Sequence, residues 1–482
     1  MEEKRLIVGP FNRVEGDLEV QLEVADGRVT AAYVNSPLFR GFERILEGRD
    51  PMDALVIAPR ICGICSVSQS HAAARALAAA AGVSAPPNGV LATDLMLAAE
   101  NVGDHLTHFN VFFMPDFARP AYAARPWFQT VEARFKAGRG TALRQAVEAR
   151  SGLFHLFGIL AGKWPHTLTI QPGGVARALD ARDKVRILAQ VGAFRRYLET
   201  TLFAASLEQV ASLGSIAELA AFRAAGRGGD FRLFLEIAED LGLDRLGRAY
   251  DRFLSYGAYG GETPLYRPGT LAGGMLAGFS PDDIAEDHTN ARMTGRGHRH
   301  HPFEGSTLPD PSDETGYTWC KAPRLAGLPY ECGALARQAV DGQGLARELA
   351  LTRGGTVASR VIGRLVETAR TVIAMETWVK AIDPAGDWYC RAPLPDRARA
   401  FGLTEAARGA LGHWLTIDEG RIAAYQIIAP TTWNFSPRDS DGVPGPLEAA
   451  LVGTPVEPGE RVPLAVQHVV RSFDPCMVCT VH

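Results

Sequence analysis

The sequence predicts a mainly α-helical protein with small β elements, an α+β chain built around a helical core. Three observations carry that expectation. SVSQSHAAARALAAAAG, residues 66–82, is alanine-rich and closes on Gly82, the composition of a helix with a glycine stop. LATDLMLAAENVGDHLTHFNVFF, residues 91–113, predicts a second helix ending before Pro115, and further helical patterns lie around residues 142–162, 180–213, 231–241 and 357–382. The β signal is DLEVQLEVADGRVTAAYV: Leu18, Val20, Leu22 and Val24 alternate, the chain turns at Asp26-Gly27, and the pattern resumes with Val29, Ala31 and Tyr33. Residues 255–335, rich in Gly, Pro and His, predict irregular structure with some strand. No internal repeat, low-complexity linker or clean boundary divides the chain, so residues 1–482 read as one domain.

Composition narrows the function. Of 482 residues, 46% are hydrophobic and 22% charged, as in ordinary globular proteins, and the formal charge of −4 gives no electrostatic reason to bind nucleic acid or an anionic membrane. MEEKRLIVGPFNRVEGD has no apolar core run and is not a secretory signal, and no stretch approaches the roughly 20 apolar residues of a membrane helix.

Seven cysteines in so long a chain do not make a disulfide framework. Cys320, Cys332 and Cys390 stand alone and read as small buried hydrophobes. The others fall in two C-x-x-C pairs, Cys62/Cys65 and Cys476/Cys479, separated by far more than the 15–20 or so residues of a zinc ribbon. Cys65 directly precedes the alanine-rich helix, where backbone N–H groups favour thiolate. Four thiolates from distant segments suit a soft or borderline metal; a structural zinc joining the two ends remains open at this point.

The flanking residues are more specific. RICGIC and RSFDPCMVCTVH, with FNRVEGD, FRGFERILEGRDP, GDHLTHFN, PGGV, KAPRLAGLPYECGALAR, ARGALGHWL and APTTWNFSPRD between them, resemble in content and order the large subunit of nickel–iron hydrogenases. The resemblance spans nearly the whole chain and implies that family's large-subunit fold. It implies a nickel–iron centre whose iron carries carbon monoxide and cyanide. Cys62 and Cys476 would be terminal nickel ligands, and Cys65 and Cys479 the bridges. Dihydrogen would split heterolytically, its proton passing to Cys476 and then to Glu15. Arg408 would place fixed positive charge over the open face, held by Asp104 and Asp474, while Thr431 donates to a cyanide. Glu43, a backbone carbonyl near Ile427 and the terminal His482 would bind magnesium, or iron, at a second site. The partner would be a small subunit carrying iron–sulfur clusters, since this chain has too few spare cysteines to hold its own.

Within the family, three features resemble the hydrogen-sensing, regulatory branch. Gln69 stands where most catalytic members have a histidine, and Ile64 and Phe112 stand where they have the smaller Val and Leu along a gas channel. A chain ending at His482 fits a sensor and a processed enzyme equally. The implied protein is a low-turnover dihydrogen:acceptor oxidoreductase in the cytoplasm that reports to a histidine kinase, as a dimer of heterodimers. The alternative is an energy-conserving uptake hydrogenase. The related quinone-module subunit of respiratory complex I has lost the nickel cysteines, and the intact four here exclude it. The histidines of GHRHHPFEG read as a loop, and His105 and His108 as hydrogen-bonded structural residues.

Overall fold

The N-terminal hairpin forms as its alternation predicts. In the computed structural model, which describes residues 4–260, 264–295 and 297–482, β1 (Lys4–Val8), β2 (Glu19–Ala25) and β3 (Arg28–Asn35) make an antiparallel sheet. Val8 pairs with Val20 and Leu22 with Ala32, and one face of the sheet is buried.

Most of the expected helical segments form, but the one expected over 180–213 breaks after Leu202 and resumes as the separate short helix Leu207–Ala211, and two of the longer helices, Ala334–Asp341 and Leu464–Ser472, are unanticipated. The longer helices are α1 (Ser66–Ala81), α2 (Pro87–Thr107), α3 (Thr141–Leu160), α4 (Ala181–Tyr197), α5 (Asp230–Asp240), α6 (Ala334–Asp341), α7 (Val357–Ala381) and α8 (Leu464–Ser472). Helix α2 is buried almost all round, as is most of α7, so the two lie against each other at the centre of the molecule. Both carry charged residues into that centre: Glu100, Asp104 and His105 on α2, and Arg360, Arg364 and Glu367 on α7. His105 Nε2 lies 2.9 Å from Glu367 Oε1, and His108 Nε2 lies 2.7 Å from the Arg471 carbonyl. These histidines tie helices together.

Residues 252–332 supply the expected strands. β4 (Arg252–Ala258) and β5 (Tyr266–Ala272) pair antiparallel, and Glu331–Cys332 adds in parallel on the other side of β4. The GHRHHPFEG segment is not wholly a loop, because Arg299–His300 pairs with Ile284–Asp287. Among the described residues its histidines join no metal-binding cluster. Among the described residues, the four paired cysteines alone gather as metal-binding side chains do.

A further sheet has no counterpart in the sequence reading. β6 (Ala398–Ala406), β7 (Gly409–Asp418) and β8 (Arg421–Ile428) form an antiparallel meander, and α1 lies on it. The approach is close because both surfaces are small. A Cβ on Gly402 would sit 2.1 Å from the Ala72 carbonyl oxygen and 2.5 Å from the Ala76 nitrogen. The alanines of α1 therefore serve the packing as well as the helix. Cys390 also departs from expectation: it is exposed, on the irregular segment between α7 and β6, whereas Cys320 and Cys332 are buried. No helix of the described residues is long and apolar enough to cross a membrane.

Candidate metal centre

Both cysteine pairs arrive at helix starts. Cys62 follows a short 3-10 turn in extended conformation, and Cys65 is the residue before α1. Cys476 occupies the same position before the short helix Met477–Thr480. The second pair is set in place by a backbone zipper: Glu15 accepts from Met477 N–H at 2.7 Å and donates to the Pro475 carbonyl at 3.4 Å. Gly16 permits this. At φ 81° it is left-handed, and a Cβ there would lie 3.1 Å from Met477 and Val478. Arg40 fastens the two pairs together, donating to the carbonyls of Ile61 and Val478, the residues just ahead of Cys62 and Cys479.

The four sulfurs consequently converge. Cys62 Sγ is 3.5 Å from Cys476 Sγ, Cys65 Sγ is 3.1 Å from Cys479 Sγ, and Cys476 Sγ is 3.2 Å from Cys479 Sγ. All four lie within 4.8 Å of one another and are buried. These separations are too long for disulfides, whose sulfurs bond at about 2.05 Å. They suit one metal site, because metal–sulfur distances of about 2.3 Å put two thiolates of one ion about 3.8 Å apart. Hydrogen bonds from Cys476, Cys479 and Cys65 hold the Cys62 thiol well below its usual range, and such bonds push Cys65 well above it. A divalent cation removes that competition by taking the place of the protons.

The helix N-terminus acts differently from the sequence expectation. The first-turn donors of α1 are engaged by Glu100, whose carboxylate accepts from Val67 N–H at 2.9 Å and from Ser68 N–H and Oγ at 3.0 Å. Trp164 Nε1 donates to it as well, at 3.0 Å. Burial pushes Glu100 up to about 7 despite these donors. The start of α1 thus holds a carboxylate, and the cysteine loop is anchored through it.

Above the sulfurs stands Arg408, at the turn between β6 and β7. Its Nε donates to the Asp474 carbonyl at 2.9 Å, one Nη to Asp104 Oδ2 at 3.1 Å and the other to Asp474 Oδ1 at 3.3 Å. Burial opposes its charge, but Asp474, Asp104 and the nearby Cys476 and Cys65 outweigh that, so it stays cationic. Asp474 has a left-handed φ of 58°, in the turn that delivers Pro475 and Cys476. Thr431 Oγ1 accepts from Cys476 N–H at 3.2 Å, leaving its own proton free to donate. Half-buried Glu15 is raised above the ordinary carboxylate range, by burial first and by Cys62 second, with Arg408 and Arg40 opposing.

Behind Cys479, His482 Nδ1 contacts the Cys479 carbonyl at 2.9 Å, while Nε2 lies 2.9 Å from the Ile427 carbonyl and 3.4 Å from Glu43 Oε1. Glu43 Oε1 also accepts from Ile427 N–H at 2.7 Å. Burial favours the neutral acid of Glu43, but Lys321 and His482 hold it at about 2. An imidazole nitrogen, a carboxylate and a carbonyl converging on one spot form a donor set that fits a hard divalent cation.

The family model described as nickel-dependent hydrogenase matches residues 40–126 and 142–482. The chain belongs to the nickel-dependent hydrogenases. It is 31% identical to the periplasmic NiFeSe hydrogenase large subunit of Desulfomicrobium baculatum over 99% of this chain and 95% of that one. It is 29% identical to the hydrogenase-1 large chain of Escherichia coli K12 and 27% identical to the uptake hydrogenase large subunit of Rhodobacter capsulatus, with the same coverage. The solved structure of H2-activated D. baculatum NiFeSe hydrogenase superimposes over 100% of both chains with a TM-score of 0.86 at 29% identity. The NiFeSe hydrogenase of Desulfovibrio vulgaris Hildenborough gives 0.85 at 28%. This hydrogenase chain is therefore a large, catalytic subunit, and the cysteine cluster belongs to its nickel- and iron-containing centre.

Of the site residues expected from sequence, Glu15, Asp104, Arg408, Thr431 and Asp474 surround the cysteines, and Glu43, Ile427 and His482 form the second group. Gln69 is buried, its Oε1 2.8 Å from His413 Nε2. Ile64 and Phe112 are half-buried, one between the first cysteines and the other on the turn after α2. Sequence reasoning missed Arg40, Glu100 and His413. Arg40 lies within FRGFE beside Glu43, and His413 within ARGALGHWL beside Arg408, so both were in sight; nothing in the sequence marks Glu100.

Proposed function

We propose that this large subunit serves a hydrogen-sensing hydrogenase of low turnover. Cys62, Cys65, Cys476 and Cys479 would hold a nickel–iron pair with carbon monoxide and cyanide on iron, which would supply an electron-poor site for dihydrogen. Cys476 accepts the proton on its sulfur, where metal binding keeps a lone pair available, and Glu15 takes it onward. The raised affinity of Glu15 for a proton suits that task. Arg408, oriented by Asp104 and Asp474, presents fixed positive charge, and the Thr431 hydroxyl donates to a diatomic ligand. Glu43, the Ile427 carbonyl and His482 would hold magnesium or iron, which would tie the tail down. Ile64 and Phe112 narrow the path for gas.

Gln69 is the observation that carries the sensor reading. It places an amide, which cannot titrate, four residues after Cys65. The reading includes an iron–sulfur small subunit, a histidine kinase, a dimer of heterodimers and a cytoplasmic location. The second reading is an energy-conserving uptake hydrogenase; one relative is named an uptake hydrogenase and another is named periplasmic. Purified with its small subunit, the protein is expected to hold about one nickel per chain, to show carbon monoxide and cyanide infrared bands, and to oxidise dihydrogen slowly in air. Zinc without such bands sinks the centre as described, whereas fast, air-sensitive turnover with quinone favours uptake. Replacing Glu15 by Gln should keep nickel and bands while lowering hydrogen–deuterium exchange roughly a hundredfold or more; unchanged exchange would show that protons leave elsewhere.

A further inference from the structure

The Gln69 amide is the end of a chain of hydrogen bonds that runs away from the cysteines. Its Oε1 meets His413 Nε2 at 2.8 Å, and His413 Nδ1 meets the Tyr425 hydroxyl at 2.8 Å. His413 comes from β7 and Tyr425 from the neighbouring β8, and all three side chains are at most 1% exposed. Among the described residues the Tyr425 hydroxyl has no other hydrogen-bond partner.

That last fact fixes the direction of every bond in the chain. A buried O–H needs an acceptor, and the one within reach is His413 Nδ1. Nδ1 must therefore be bare, which excludes the imidazolium as well as the Nδ1–H tautomer. The single ring proton then sits on Nε2 and can only be donated to Gln69. An amide that accepts at Oε1 has its NH2 group on the opposite side. Gln69 lies in the first turn of α1, four residues after Cys65, and helical side chains lean back over the residue four positions earlier. The NH2 group is thereby held on the side away from His413, where it has no hydrogen-bond partner among the described residues.

We infer that Tyr425 and His413 are positioning residues that lock the Gln69 amide in one orientation, with Oε1 on His413 Nε2–H and the NH2 group fixed as a donor on the opposite side. A histidine at position 69 would face His413 as one imidazole faces another, and either ring could carry the shared proton. Glutamine oxygen can only accept, so the polarity of the chain is set once. The inference rests on the sensor reading of Gln69 and deepens the role given to it there.

Neutron diffraction from deuterium-exchanged crystals of the two-subunit enzyme tests the lock directly, whatever metal is bound. A deuteron on His413 Nε2, and none on Nδ1, is expected; a deuteron on Nδ1 overturns the inference. Infrared spectroscopy tests its effect on the centre, using Tyr425→Phe, which keeps the ring and its packing, Gln69→Leu and the double variant. With nickel content and melting temperature held, Tyr425→Phe should shift the carbon monoxide and cyanide bands in the same direction as Gln69→Leu, and should add nothing in the Gln69→Leu background. No shift in Tyr425→Phe, or an equal shift with and without Gln69, overturns it. Absence of those bands from the wild type would instead refute the description of the centre, leaving the deuteron positions to decide the lock alone.

Discussion

Two buried arginines, Arg337 and Arg408, are each gripped by two carboxylates, yet their hydrogen bonding differs. Arg337 on α6 gives Nε and one Nη to Glu367 at 2.7 and 2.6 Å, and the other Nη to Glu405 at 2.7 Å. Its remaining donors reach the carbonyls of Ala406 and Ala407 at 2.9 and 3.1 Å. Every oxygen of its carboxylates is also used, because His105 contacts Glu367 and Tyr256 N–H donates to Glu405 at 2.7 Å. Arg408 makes three bonds with its five donors, and Asp104 Oδ1 and Asp474 Oδ2 have no partner among the described residues. A saturated clasp is structure, whereas an unsaturated one beside thiolates has capacity left for a ligand. The two are joined: Arg337 holds the carbonyls of the residues immediately before Arg408.

Cutting the saturated clasp should have the largest effect. Arg337→Leu strands Glu367 and Glu405 in the interior and should cost about 3–5 kcal/mol, read as a collapse of the denaturation midpoint or loss of soluble protein. A midpoint near wild type would show that the clasp is dispensable. Arg408→Lys should leave the midpoint within about 1–2 kcal/mol of wild type while lowering dihydrogen turnover about a hundred- to a thousandfold. Equal losses of stability in the two variants would erase the distinction drawn here.

Acid sharpens the comparison further. Burial alone would raise Glu367, but Arg337 and His105 hold it at about 2, below its ordinary 4.5. A depressed carboxylate stabilises the fold above its ordinary value, and that contribution is lost as pH falls from there through the folded value. Stability should therefore decline between pH 4.5 and 2, and Glu367→Gln, weaker at neutral pH, should show a flatter decline; parallel curves would count against the clasp as the cause. The smallest effect is expected at the gas path. Ile64→Val with Phe112→Leu should cost about 1–2 kcal/mol in packing, yet make dihydrogen oxidation fail after timed exposure to air. Survival equal to wild type would remove these residues from the sensor reading.

The sequence shows these regions unevenly. Alanines ending in Gly82, and the apolar rows of α2 and α7, make helices legible from local pattern alone. The meander β6–β8 escapes that reading because β7 is buried almost throughout and rich in small residues, so it has no alternating polar face to announce a strand. The cysteines and the residues flanking them were legible as chemistry. Glu100 and Arg337 were not, since a buried carboxylate or guanidinium acquires its meaning from partners dozens to hundreds of residues away. Cys390 misled for the same reason: residue type favours burial, but position decided against it.

The zipper between Glu15 and the Pro475–Met477 segment has a consequence for biosynthesis. Cys62 and Cys65 emerge from the ribosome early, whereas Cys476 follows Cys65 by 411 residues. Until that last strand-like stretch is laid against Glu15 and stapled by Arg40, the pocket has half its sulfurs and an open wall. Metal delivery therefore has a natural window before the tail seats, and seating the tail is the step that closes the door behind the cargo.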